Sequence, residues 1–223
     1  SAGLVSSRSA HVIGAPRRRK VYHLTEAGRK LALERASRTK KSRGRSVGPL
    51  PDPITLHGRD ETVSSICSGL SEGTNYLIEG LPGIGKTSIA TAVSRSLLDD
   101  GWLVRWATCQ TDSDSSSIAR MWLGARAPSS KDAIAARIDS KRTLLVLDEA
   151  QQSHERHVGG IQEILESCSN TTAVVMTVTR APNPFPDISG FESIRLEGLD
   201  PTLARQLLPE EMEDQQAMEV CEA

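Results

Sequence analysis

Gly80-Leu81-Pro82-Gly83-Ile84-Gly85-Lys86-Thr87 fits G-x-x-x-x-G-K-[ST], the pattern of a phosphate-binding loop. Glycines let the backbone bend until successive N–H groups face one concavity, where they cradle phosphate oxygens. A helix that starts at the end of such a loop adds its unpaired N–H groups and the positive end of its dipole. Lys86 supplies a point charge that reaches the β- and γ-phosphates, the Thr87 hydroxyl suits Mg²⁺, and Ser88 is the next residue along the same anion site. The flanks agree. Residues 75–79 (NYLIE) read as a short buried strand entering the loop, and residues 88–98 (SIATAVSRSLL) carry helical periodicity leaving it. Strand, loop and helix in this order predict nucleotide binding through Gly80, Leu81, Pro82, Gly83, Ile84, Gly85, Lys86, Thr87 and Ser88.

Downstream, Thr143-Leu144-Leu145-Val146-Leu147-Asp148-Glu149 is an apolar run ending in two carboxylates. That pattern suits a parallel strand buried on both faces, with its charges at the C-terminal edge of the sheet. There Asp148 would orient Mg²⁺, and Glu149 would align or deprotonate an attacking water, which makes hydrolysis the expected chemistry. The rest of the pattern alternates. Helices are expected near residues 61–70, 115–123, 131–140 and 157–168, and strands over 102–108, 142–148, 172–179 and 193–196. Alternating strands and helices predict an α/β fold, a three-layer core around a parallel sheet with right-handed crossovers and the nucleotide at the strands' C-terminal edge.

The loop, the 144–149 strand and Val174-Val175-Met176-Thr177-Val178-Thr179-Arg180 together resemble the P-loop ATPases of the AAA+ and STAND type, including NB-ARC-like switch ATPases and origin-initiator-like ATPases. In that family a strand ending in Thr-Thr-Arg or similar sets a polar or basic sensor beside the γ-phosphate, a place that falls here to Thr179 and Arg180. The resemblance thus adds Arg180 to Lys86, Asp148 and Glu149 as a catalytic residue. Leu56-His57-Gly58-Arg59-Asp60 looks like the family's Gly-Arg-Glu box, which lies against the nucleotide base, with Asp60 where Glu is commoner. Gly58 and Arg59 are carried over as nucleotide-binding residues. The resemblance covers residues 53–208. It implies ATP with Mg²⁺ as the ligand and a nucleotide-dependent homo-oligomer, while no base-reading motif in the sequence chooses ATP over GTP.

Charge divides the chain. Up to Leu50 there are 13 Lys and Arg against Glu26 and Glu34, a net of +11, and the remainder carries −12, giving the overall −1. A basic head on an acidic body suits an anionic partner, or docking of the head on its own body. Within the head, residues 10–13 and 21–24 read as two short strands joined by a basic turn with Gly14 and Pro16, and Thr25 then caps a helix over 26–37. The hairpin followed by Tyr22-His23-Leu24-Thr25-Glu26-Ala27-Gly28-Arg29 resembles the wing and last helix of MarR- and PadR-like winged helix-turn-helix domains, with residues 1–5 resembling the end of the recognition helix and the turn after it. By that resemblance Arg17, Arg18, Arg19 and Lys20 would contact the phosphates or minor groove of duplex DNA.

The organisation expected is therefore a partial winged helix over 1–37, a basic flexible linker over 38–52, the ATPase core over 53–208 and the start of a helical lid over 209–223, as in an internal fragment of a longer protein. No run approaches the length of a membrane-spanning helix and there is no signal-peptide segment, so a soluble, cytoplasmic chain with no membrane partner is expected. Cys67, Cys109, Cys168 and Cys221 show no metal spacing and read as core filling in a reducing compartment. His154 and His157 lack a third metal ligand and read as a polar helix start, and Trp102, Trp106 and Trp122 read as core or interface residues. The functional expectation is an ATP-dependent regulatory switch with a DNA-binding head. Two alternatives stay open: a transcription regulator whose nucleotide fold binds effector without turnover, and an initiator- or transposition-type ATPase acting on DNA directly.

Overall fold

The structure, a computed structural model, describes residues 5–10, 19–27, 29–30, 44–138, 142–170, 172–179, 183–185, 188–199 and 203. Two compact units divide the chain, residues 1–42 and 43–223.

In the first unit, β1 (Val5–Ala10) pairs antiparallel with β2 (Arg19–Leu24), from Val5 opposite Leu24 to Ala10 opposite Arg19. Helical backbone follows at Glu26, Ala27, Arg29 and Lys30, where Arg29 N–H donates to the Thr25 carbonyl at 2.8 Å. A hairpin then a helix matches the expected order, but its first strand lies earlier than residues 10–13. Val5 is strand backbone, so residues 1–5 do not all belong to a helix end and turn. The apolar Val12-Ile13 pair favours the later position in sequence, whereas a two-stranded ladder is held by backbone hydrogen bonds that any side chain permits. Arg17 and Arg18 lie outside the described residues, and Arg19 and Lys20 are backbone positions of β2.

The second unit is a six-stranded sheet in the order β3-β5-β6-β7-β4-β8, with every pair parallel. Its strands are β3 (Arg45–Val47), β4 (Asn75–Gly80), β5 (Leu103–Thr108), β6 (Thr143–Asp148), β7 (Ala173–Thr179) and β8 (Phe191–Arg195). Its helices are α1 (Asp60–Glu72), α2 (Lys86–Asp99), α3 (Ser115–Leu123), α4 (Lys131–Ile138) and α5 (Glu155–Ser169). Period-two alternation sorts the strand side chains into two cores. Leu144 and Val146 pack on one face with Ile89 and Val93 of α2, while Leu145 and Leu147 pack on the other with Trp122 of α3 and Ile161 of α5. Because every residue of β6 is buried, the strand reads as a continuous apolar run. This is the α/β three-layer architecture expected.

Several buried polar groups at the sheet are paired, although Thr143 Oγ1 at the start of β6 and Arg105 Nε on β5 meet no partner among the described residues. Asn75 accepts from Val174 N–H at 2.8 Å and donates to the carbonyls of Ser169 and Gly190, joining β4 to the start of β7 and the end of α5. The indole N–H of Trp122 donates to the Val146 carbonyl at 3.0 Å, and that of Trp106 to Thr108 Oγ1 at 3.0 Å. All three tryptophans are core residues.

The structure corrects the reading of 38–52 as a flexible linker throughout. Arg45, Ser46 and Val47 pair with Leu103, Val104 and Arg105 as the sheet's edge strand. Gly44 N–H donates to the Leu98 carbonyl at 2.8 Å, and a Cβ at Gly44 would lie 2.0 Å from the Trp102 carbonyl oxygen. Backbone packed this closely needs no apolar side chains, which is why a polar composition conceals the strand.

Candidate functional site

Since β7 lies between β4 and β6 and all three run parallel, their C-terminal ends finish side by side. That edge carries the loop after Gly80, the Asp148-Glu149 pair and the end of β7. Gly83 and Gly85 hold φ of +80° and +100°, where an L side chain is strained, and a Cβ at either would meet nothing within 4 Å. Open space over both glycines leaves the loop's concave side accessible. α2 begins directly at Lys86, and no side chain caps it. Its first-turn N–H groups therefore have no acceptor within the helix, the condition for an anion site. Lys86 is buried, with Nζ donating to the carbonyls of Gly80 (3.2 Å) and Leu81 (2.9 Å). An ammonium carries three donors, so one is uncommitted by these bonds. The Leu81 side chain itself points to solvent, leaving only its backbone in the loop.

Thr87, the second residue of α2, donates to Asp148 at 2.9 Å (Oδ1) and 3.1 Å (Oδ2). Two residues far apart in the chain are thus brought together as expected, and their hard oxygens are of the kind Mg²⁺ selects. Asp148 is buried, and burial pushes its carboxyl above the ordinary aspartate range, opposed by hydrogen bonds from Thr177 and Thr87. Thr177 Oγ1 donates to Asp148 Oδ1 at 2.5 Å and accepts the Glu149 N–H at 3.0 Å. Glu149 holds φ 56° and ψ 39°, the left-handed region, and its carboxylate accepts a hydrogen bond from the Gln151 side chain. Thr179 ends β7 in register with Gly80. Its side chain and all of Arg180 lie outside the described residues.

A cavity of about 380 Å³ opens beside the loop, lined by Ile54, His57 and Arg59 from the segment before α1, Gly85 and Ser88 from the loop and α2, and Leu199 after β8. Arg59 donates to the Glu197 carbonyl at 2.5 Å, so its guanidinium ties this wall to the segment after β8. Gly58 has φ +63°, and a Cβ there would lie 2.4 Å from Leu203 Cδ1. The box expected from the sequence is therefore beside the loop. A second cavity, about 790 Å³, is lined by Gln151, Ser153, His154, Glu155, Val158 and Asn183, with Pro184. Asn183 donates to Glu79 Oε1 at 2.5 Å and so fastens the β7–β8 connection to the end of β4.

Sequence reasoning does not single out Thr177, Gln151 or Asn183. Thr177 lies inside a motif whose last two residues carry the resemblance, and the other two belong to no local pattern. His154 caps α5 through Nδ1, which accepts from Arg156 N–H at 3.3 Å, and His157 Nε2 accepts from Arg156 Nε at 3.0 Å. No group of three or more His, Cys, Asp or Glu side chains is placed to hold a metal among the described residues. Nor is any helix among them long and apolar enough to cross a membrane.

Residues 76–190 match the family described as ATPase family associated with various cellular activities (AAA). No curated protein matches the chain by sequence. Among solved structures, a signal transduction ATPase with numerous domains (STAND) with a tetratricopeptide repeat sensor, from Pyrococcus horikoshii, is 18% identical, with a TM-score of 0.50 over 79% of this chain and 28% of that one. A chain of Drosophila ORC bound to DNA is 15% identical, with a TM-score of 0.53 over 95% of this chain and 60% of that one. AMPPCP-bound DnaA from Aquifex aeolicus is 16% identical, with a TM-score of 0.49 over 74% of this chain and 61% of that one. This chain therefore spans less than two thirds of each of these neighbours, and at such identities the likeness is one of fold.

Proposed function

The chain belongs to the ATPase family associated with various cellular activities and is a nucleotide-binding member of it; on that premise we propose that it is a Mg²⁺-dependent ATP-hydrolysing switch that couples its nucleotide state to a DNA-binding head. The observation that carries the catalytic half is the contact of Thr87 with Asp148 beside Lys86 and an uncapped α2, which assembles cation, metal ligands and anion site within one sheet edge.

In this reading Lys86 and the N–H groups of Gly83 to Ser88 bind and orient the phosphates. Thr87 and Asp148 are the residues that would hold Mg²⁺, which supplies charge neutralisation at the phosphate oxygens when bound. Glu149 accepts a proton from the attacking water, and Arg180 with the Thr179 hydroxyl reports the γ-phosphate. The cavity of Ile54, His57, Arg59 and Leu199 takes the base. Leu203 against Gly58 and Arg59 on Glu197 supply the means by which a bound base would draw in the segment after β8. The regulatory and DNA-directed part rests on the head of net +11 and its hairpin. In that part Arg17, Arg18, Arg19 and Lys20 engage duplex DNA in the full-length protein, where a nucleotide-dependent homo-oligomer is the expected assembly.

Two variants test the catalytic half. Lys86→Ala removes a charge aimed at phosphate, so titration with a fluorescent ATP analogue should show binding lost while the far-UV spectrum is kept. Equal affinities would remove the loop from nucleotide binding. Glu149→Gln keeps the shape but cannot accept a proton, so affinity should persist while phosphate release falls by about 10²-fold or more. Turnover equal to the parent would remove Glu149 from the catalytic role.

A further inference from the structure

Thr177 lies on the fifth position of β7, completely buried, between strands whose neighbouring side chains are apolar. A hydroxyl in such a place is costly unless both its donor and its acceptor are used. Both are. Its one proton goes to Asp148 Oδ1 at 2.5 Å, so the Glu149 N–H at 3.0 Å must be received by an oxygen lone pair, and the orientation of the hydroxyl follows without choice. One side chain thereby grips two consecutive residues. Glu149 needs the grip, since it is the only non-glycine residue at positive φ among the described residues. That conformation is disfavoured for a side chain with a Cβ and persists where surrounding contacts over-determine it. Asp148 needs it too. Its other side-chain donor, Thr87, shares one proton between both carboxylate oxygens and comes from α2, the helix of the phosphate loop, whereas Thr177 holds Oδ1 from within the sheet.

We propose that Thr177 is a positioning residue, which sets the Asp148 carboxylate for the metal and the left-handed turn at Glu149 for the attacking water through one doubly bonded hydroxyl. Completely buried, it acts through those two residues. This rests on the reading of the site as one for ATP with Mg²⁺. A purely architectural threonine would be replaceable by any side chain of equal shape that leaves the fold intact, whereas a positioning hydroxyl would not.

The test uses the full chain with Thr177→Val, which keeps the shape and loses the hydroxyl, and Thr177→Ser, which keeps the hydroxyl. Affinity for a fluorescent ATP analogue is measured in EDTA and in Mg²⁺, and turnover is measured against ATP concentration. For the valine variant the affinity in EDTA should match the parent, the gain in affinity on adding Mg²⁺ should shrink, and kcat should fall at least about tenfold while KM rises by no more than the lost Mg²⁺ gain. Serine should restore both. Unchanged kcat and Mg²⁺ gain in a folded valine variant would overturn the proposal, as would a serine variant that falls as far as valine while melting like the parent. Should valine not fold, Thr177→Cys takes its place, because a thiol packs as an apolar group and is a weak donor. A parent protein that binds ATP in a Mg²⁺-dependent way without turnover would sink the hydrolysis reading alone, with the Mg²⁺ gain still deciding Thr177. A parent that binds no nucleotide would sink both.

Discussion

Cys109 follows the end of β5 beside the C-terminal edge of the sheet, and its chemistry follows from its surroundings. Burial pushes the thiol up to about 11, against an opposing hydrogen bond with Ser153 and with help from the negative charges of Asp148 and Glu149. Burial pushes Cys168 up to about 12, and Cys67, half-buried, is raised for the same reason first. Since the thiolate is the nucleophile, a thiol raised this far presents almost none of it at neutral pH. Brief iodoacetamide treatment at pH 8 should therefore label Cys67 and spare Cys109 and Cys168 until denaturant is added, as read by peptide mass spectrometry. Native labelling of Cys109 would mean that the edge beside Asp148 opens readily to solvent. The sequence reading of these cysteines as core filling holds for Cys109 and Cys168, since Cys168 continues the helical apolar row of Ile161, Ile164 and Leu165 on α5 and Cys109 packs in the same core.

At the scale of elements, α3 shows how local chemistry starts a helix. Asp114 accepts the Ser117 N–H at 2.7 Å, and the Ser117 hydroxyl accepts the Asp114 N–H at 2.8 Å, a reciprocal cap. The Ser117 backbone bond holds the Asp114 carboxyl below its ordinary value. A carboxylate depressed in the folded state stabilises above its unfolded pKa, and that stability is lost as pH falls through the folded one. Asp114→Ala should then cost about 1 kcal/mol at pH 7 in urea unfolding, and the difference from the parent should shrink as the pH is lowered below the ordinary aspartate range. A constant difference at all pH values would assign the loss to packing. The same locality makes helix starts legible to within a residue or two. α5 begins at Glu155 rather than 157 because the His154 ring serves as its cap, a use of histidine that residue type alone does not announce.

For the whole molecule the decisive number is the split of charge, +11 up to Leu50 against −12 beyond it. A basic head that engages phosphate releases counterions, so its affinity must fall with salt. In a full-length protein, Arg17, Arg18, Arg19 and Lys20 all changed to Ala should bind duplex DNA more weakly across all sequences. The slope of log affinity against log salt should lessen by about 0.9 for each phosphate that the variant no longer neutralises. Filter binding or anisotropy over a salt series reads both quantities. Unchanged affinity and slope would make the hairpin a protein-docking element, with the acidic ATPase body its nearest candidate.

The phosphate loop, the buried strand ending in Asp148 and Glu149, and the alternation that makes a parallel sheet are legible in the sequence, because each is written in neighbouring residues. Glycine φ freedom, a continuous apolar run and a strand-loop-helix order are local properties, and local properties survive in one dimension. The folded arrangement makes Arg45–Val47 a strand, since a polar segment becomes an edge when backbone hydrogen bonds from β5 reach it. It alone decided that Thr177 grips Asp148 and Glu149, and that Asn183 fastens Glu79. These pairs come from different strands and loops, and nothing local selects their partners. Register between parallel strands selects them, a geometry that exists once both faces of the sheet have been buried.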